Sequence, residues 1–135
     1  DLQSDALLMT GSLLEKHGLA ERVTTHLSCH SKMETVLPPD AKGRIRAITF
    51  NLGYLPKGNK SITTKAETTL PAIRNSYDWL ARNGVLSVLC YLGHPGGKNE
   101  EQAVRKLIQD QGWKDEAIPG NESGESPVLH WIEKT

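Results

Sequence analysis

The chain has 135 residues, with 37% hydrophobic and 24% charged. That is the size and composition of one folded domain, not of a disordered tail. Its longest apolar run, Val85 to Leu92 with Ser87 inside it, is far short of the ~18 residues that cross a membrane. Net charge is zero, which excludes coating nucleic acid by bulk charge, yet residues 32–82 carry nine basic and four acidic groups, a local net of +5.

In chain order, residues 4–17 read as a helix. Ser4 is its expected N-cap, Ala6, Met9 and Leu13 share one face, and Gly18 stops it. Val23 to Leu27 reads as a short β-branched strand. Residues 31–37 read as a helical turn ended by Pro38-Pro39. Ile45 to Asn51 is the next expected strand, followed by an irregular loop over Leu55 to Asn59. A long helix is expected to start with Thr69 as cap and Pro71 in its first turn. It carries Ile73, Tyr77 and Leu80 on one face and ends at Asn83-Gly84. Val85 to Tyr91 reads as a buried parallel strand. After the turn Gly93 to Gly97, Asn99 caps a helix over 100–111 with Ala103, Val104, Leu107 and Ile108 as its stripe. Trp113 to Ile118 and Val128 to Glu133 read as closing strands, joined by the polar stretch 119–127.

This alternation predicts a single α/β domain over 1–135, its sheet mostly parallel with an antiparallel C-terminal edge. Ligands in such sheets sit at the carboxyl ends of the strands. The loops after residues 27, 51 and 91 are therefore the ones to read for chemistry.

After the second of those strands comes Asn51-Leu52-Gly53-Tyr54-Leu55-Pro56. The Asn51 side chain and the backbone at Leu52 can accept from an amino group, and Tyr54 can stack on a planar base. The same residues also make an ordinary tight loop. After the third comes Gly93-His94-Pro95-Gly96-Gly97, whose glycines let a ligand approach the backbone and whose His94 can act as a base. Its GxxGG pattern lacks the Lys-Ser/Thr of a P-loop. Lys57, Lys60 and Lys65, with Thr63 and Thr64 between them, suit phosphate contacts and equally suit a solvated loop. After the first expected strand come Ser28, Cys29 and His30. Five histidines show no metal-ligand spacing, so no metal is expected. Cys29 and Cys90 form neither a disulfide framework nor a CxxC pair. With no leader at Asp1-Leu2-Gln3, they suit a reduced, cytoplasmic protein.

Asn51 to Pro56, Lys60 to Thr64 and Gly93 to Gly97 with Glu100 together resemble the YtqB-like family of rRNA methylases. The resemblance runs over nearly the whole chain. It implies a Rossmann-like class I fold and S-adenosylmethionine-dependent methyl transfer to RNA, in particular to the amine of 5-aminomethyl-(2-thio)uridine at the tRNA wobble position. It implies that Asp1 and Gln3 hold the cofactor ribose and that His30 borders the adenine. Asn51, Leu52 and Gly53 then also bind the cofactor, Asn51, Tyr54 and His94 serve catalysis, and Lys57, Lys60, Thr63, Thr64 and Glu100 serve the target side. It also implies that the family's opening strand, glycine-rich loop and helix, roughly 50 residues, are missing ahead of Asp1. Asn59 stands where the family often has Asp, and Ser28 where an acidic residue is common.

Three other readings remain at this level. One is an rRNA rather than tRNA target, one a non-catalytic truncated Rossmann-like binding domain, and one a small hydrolase using Cys29 or Cys90 with a histidine. Trp113 and Trp131, if exposed near the last strands, would suit a homodimer face.

Overall fold

The computed structural model describes residues 1–121 and 125–135. Its elements in chain order are helix α1 (Ser4–Lys16), a 3-10 turn (Ala20–Arg22), a second 3-10 turn (His30–Lys32) running into the one-turn helix α2 (Met33–Val36), and a third 3-10 turn (Pro39–Ala41). Strand β1 (Ile45–Asn51), helix α3 (Ala66–Trp79), strand β2 (Leu80–Cys90), helix α4 (Gly97–Gln111) and strands β3 (Asp115–Pro119) and β4 (Val128–Glu133) follow.

The four strands form one sheet in the order β1-β2-β4-β3. β1 runs parallel to β2, while the β2–β4 and β3–β4 ladders are antiparallel. The expected C-terminal hairpin is present. The expected mostly parallel sheet is reduced, among the described residues, to the single β1–β2 pair.

β2 is the central strand. Leu86, Val88 and Cys90 alternate onto one buried face, as period-2 geometry dictates. Ala72 and Ile73 of α3, Val104, Leu107 and Ile108 of α4, and Ile132 of β4 pack with them into one core. The α4 stripe is thus as read, but its cap is Gly96 at φ 86°, one turn ahead of Asn99.

Several boundaries move for physical reasons. Residues 23–27 form no strand. They have no ladder neighbour, and Val23 and Leu27 stay exposed. α3 starts at Ala66, because Lys65 takes the extended cap conformation and Thr69 turns its hydroxyl to Glu100 rather than to the backbone. Pro71 consequently lies inside the helix. α3 ends at Trp79, well before Asn83-Gly84. There β2 begins early with an irregularity in which Leu80 pairs Ile45 while Val85 pairs Ala47. Asn83 takes φ 60° in that irregularity, and a Cβ on Gly84 would meet the Ala81 and Ile45 carbonyl oxygens at 2.8 and 3.0 Å. Lys134 closes the end of α3 by donating Nζ to the carbonyls of Tyr77 and Leu80 at 2.8 and 2.9 Å.

Gln3, not Ser4, is the N-cap of α1. Ala6 is buried, but Met9 and Leu13 are exposed. Trp113 is half-buried, stacked on Tyr77 with ring centroids 4.2 Å apart, so it is not the exposed dimer residue expected; Trp131 is exposed. Part of the polar stretch 119–127, residues 122–124, lies outside the described residues. No described helix is long and apolar enough to cross a membrane.

Candidate active site

Two cavities open at the carboxyl end of β1 and β2. One, about 420 Å³, lies over Tyr54, Tyr91 and His94, with Lys57, Lys60 and Glu125 at its walls. The other, about 560 Å³, runs from Asp1 and Gln3 past Ser28, Cys29 and His30 to Phe50. Asn51, Leu52, Tyr54 and Pro56 line both. The loop after β1 is therefore a shared wall between two ligand-sized spaces.

The shared loop is held firmly. Leu52 is 2% exposed and donates its amide to the Leu89 carbonyl at 2.9 Å, extending the sheet by one residue. Gly53 has φ 130°, a conformation that favours glycine. Its amide donates to Thr64 Oγ1 at 2.8 Å, and its carbonyl accepts from Thr64 N at 2.9 Å and Thr63 Oγ1 at 3.0 Å. Tyr54 is 40% exposed. Its ring meets the His94 ring edge-on at 5.9 Å, and Lys60 Nζ sits 5.7 Å from its centroid. Lys57 and Lys60 thus lie on the 420 Å³ side, while Lys65 caps α3 and lines neither cavity.

His94 lines the 420 Å³ cavity. Nδ1 lies 3.1 Å from the Pro95 carbonyl oxygen, which only accepts, so Nδ1 carries the proton. Nε2 is left as the acceptor, and it is buried without a hydrogen-bond partner. Added Cβ atoms on Gly97 and Gly53 would lie 3.0 and 3.7 Å from it. Nε2 therefore faces inward, and the ring itself walls the cavity. Thr63, Thr64 and Glu100 are tied together beside it. Both threonines spend their hydroxyls on the loop and its support, and Glu100 is 4% exposed beneath them, accepting from Thr64 Oγ1 at 2.7 Å and Thr69 Oγ1 at 2.6 Å. Of the expected target-side residues, Lys57 and Lys60 line the 420 Å³ cavity, Thr63 and Thr64 line the 560 Å³ cavity instead, and Glu100 lies beneath them, lining neither.

The 560 Å³ cavity brings together the residues expected to hold a nucleoside, Asp1, Gln3 and His30. Asp1 Oδ1 accepts from Gln3 N at 2.8 Å, which fixes the carboxylate at the cavity mouth and leaves its other oxygen for a diol. His30 packs edge-on against Phe50 at 5.8 Å, giving an aromatic wall for a base. Its Nε2 donates to Thr68 Oγ1 at 3.3 Å, since that hydroxyl already donates to the Lys65 carbonyl. Burial lowers the His30 pKa, opposed by the nearby Glu100 charge. Burial would raise the Cys29 thiol, but hydrogen bonds from Ser31 and the Lys32 charge outweigh it and hold the thiol below its ordinary value. Cys90, deep in the core near Glu101, is pushed up to about 12 by burial. A Cys90 nucleophile does not fit that burial. Among the described residues, no group of three or more His, Cys, Asp or Glu could hold a metal ion.

Sequence reasoning missed Tyr91 and Glu125 as cavity residues. Tyr91 carried a signal, since it is the first residue past β2 at a strand's carboxyl end. Glu125 carried none, since it sits in a polar connection.

Residues 1–118 match the family described as "Putative rRNA methylase". A chloroplastic tRNA (mnm(5)s(2)U34)-methyltransferase of Arabidopsis thaliana is 45% identical over 107 residues, 77% of this chain and 38% of that protein. A putative rRNA-methylase of Clostridium thermocellum superposes with TM-score 0.90 at 31% identity, over 100% of this chain and 73% of that one. A putative methyltransferase of Streptococcus mutans, solved in complex with SAH, superposes with TM-score 0.86 at 29% identity, over 100% of this chain and 73% of that one. The chain thus spans well under half the length of the curated relative it matches.

Proposed function

This chain belongs to the family described as "Putative rRNA methylase", and from that membership we propose that the protein methylates RNA from S-adenosylmethionine, at the amine of 5-aminomethyl-(2-thio)uridine in the tRNA wobble position. The observation that carries the reading is the shared wall. A methyl donor in the 560 Å³ cavity and a base in the 420 Å³ cavity would meet at Asn51 and Leu52. The name of the Arabidopsis relative supports the wobble uridine as target, and the SAH in the Streptococcus mutans structure supports the cofactor.

The cofactor supplies an electrophilic methyl on a good leaving group, so the protein's task is orientation and exclusion of water. Asn51 and the Leu52 carbonyl accept the amine's N–H bonds and aim its lone pair along the line of transfer. Tyr54 and Tyr91 flank the uracil ring, which must leave its stack to enter. Lys57 and Lys60 hold the neighbouring phosphates. Glu125 is the one carboxylate among the described residues of this cavity; it attracts the substrate ammonium against those two lysines. The inward-facing His94 Nε2 leaves the released proton to water.

The test is methyl transfer by the wild-type protein and Asn51→Ala to tRNA carrying the aminomethyl group. Wild-type transfer with at least a tenfold loss of kcat in the variant supports the reading. Equal turnover by the two removes Asn51 from the chemistry. Transfer to rRNA instead would move the target, while SAH binding with transfer to neither RNA would favour a non-catalytic binding domain.

A further inference from the structure

Glu100 is a buried carboxylate that the proposed chemistry does not use directly. It lies in the first turn of α4, where the helix N-terminus favours a negative charge. Both of its oxygens are occupied by hydroxyl donors, Thr69 of α3 on Oε1 at 2.6 Å and Thr64 on Oε2 at 2.7 Å. Thr64 spends its only hydroxyl proton on Glu100, so its oxygen is free to accept, and it accepts the Gly53 amide at 2.8 Å. The direction of every bond is therefore fixed, from Gly53 N–H to Thr64 O–H to the Glu100 carboxylate.

The far end of this relay is the peptide joining Leu52 to Gly53. That peptide is trans and planar, so its carbonyl points opposite to its N–H. With the N–H held toward Thr64, the Leu52 carbonyl is directed away from Glu100. A hydrogen-bond chain ending on a charge polarises each member, and a polarised amide carries a more negative carbonyl oxygen. Gly53 has no other freedom, because its own carbonyl is pinned by Thr64 N and Thr63 Oγ1. Resting on the methyl-transfer reading above, we propose that Glu100 is a positioning residue, acting through Thr64 and the Gly53 amide to aim and polarise the Leu52 carbonyl that receives the substrate amine. Glu100 shares the start of α4 with the Gly93–Gly97 turn. The same carboxylate thereby locks the two loops of the target cavity to each other.

The test pairs kinetics with amide hydrogen exchange at Gly53. Thr64→Val removes the hydroxyl at nearly constant volume, and Thr64→Ser restores it. Thr64→Val is expected to speed Gly53 exchange about tenfold or more and to lower kcat about tenfold, with KM for cofactor and RNA within twofold. Thr64→Ser is expected to recover both to within threefold of wild type. Glu100→Gln keeps one acceptor for Thr64 and should fall between wild type and Glu100→Ala in both measurements. An active wild type whose Thr64→Val variant keeps full kcat, or keeps wild-type Gly53 exchange, overturns the relay alone. Equal losses in Thr64→Ser and Thr64→Val overturn it too, since only the hydroxyl should matter. A wild type that transfers no methyl overturns the proposed function, and with it the purpose assigned to Glu100.

Discussion

Gly96 and Gly97 adjoin in sequence, yet substitution by alanine should affect them through different physics. Gly96 has φ 86° and nothing within 4 Å of an added Cβ. Gly96→Ala therefore costs backbone strain alone, about 1–2 kcal/mol, and leaves its neighbours in place. A Cβ on Gly97 runs into the Tyr91 carbonyl oxygen and lies 3.0 Å from His94 Nε2. The His94 ring tip can turn aside, but the Tyr91 oxygen is backbone and cannot, so the start of α4 must move from the end of β2. Overpacking of this kind costs about 1–3 kcal/mol. For a chain of 135 residues that is a fall in Tm of roughly 4–11 °C. Tyr91 and His94 line the target cavity and not the cofactor cavity. Gly97→Ala should thus raise KM for RNA at least fivefold while SAH affinity stays within twofold. Gly96→Ala should lower Tm with KM for RNA within twofold. Thermal unfolding, SAH titration and initial rates measure all three quantities. Equal KM for RNA in the two variants would refute the assignment of Gly97 to target-cavity geometry.

Other consequences follow from buried and half-buried groups. Iodoacetamide at pH 7.5 should label Cys29 in the native protein and Cys90 only after unfolding, given their opposite pKa shifts; SAH should slow the Cys29 reaction, and rapid native labelling of Cys90 would contradict its burial. His130 is fully buried, with Nδ1 2.9 Å from Asp115 and Nε2 3.1 Å from Glu101. His130→Phe keeps an aromatic core residue but strips both carboxylates of that partner, and should cost about 3–5 kcal/mol in urea unfolding; a loss below about 1 kcal/mol would contradict a stabilising role for the two His130 contacts. Burial sets the His30 pKa below its ordinary 6.5. Between the two values the unfolded chain binds more protons, so the stability from His30 is full above 6.5 and is lost as pH falls through the folded value. His30→Gln should flatten the drop in urea midpoint between pH 7.5 and 5, and an unchanged drop would contradict the assignment.

The core strands and α4 were legible because their patterns answer to burial alone. β1 runs over the residues that its β-branched run indicates, and the α4 stripe packs where its spacing puts it. Three of the failures share one cause, partners distant in sequence. Residues 23–27 have strand composition but no ladder neighbour. Thr69 has the chemistry of a cap, but Glu100, 31 residues away, takes its hydroxyl. Leu80 fits the helix stripe, yet it pairs with Ile45 in the sheet. The loop motifs marked where the site lies, while their division of labour was hidden. That Thr63 and Thr64 bond the loop and that Glu100 lies beneath them was not legible, because a sequence shows residue types and not which way a hydroxyl points.

The account stands or falls on methyl transfer across the Asn51–Leu52 wall to an amine. The direct measurement is incorporation of labelled methyl from S-adenosylmethionine into two tRNAs differing only in the wobble 5-aminomethyl group. The account predicts one methyl per aminomethylated tRNA and background for the other. Equal incorporation into both, or into neither, would contradict it.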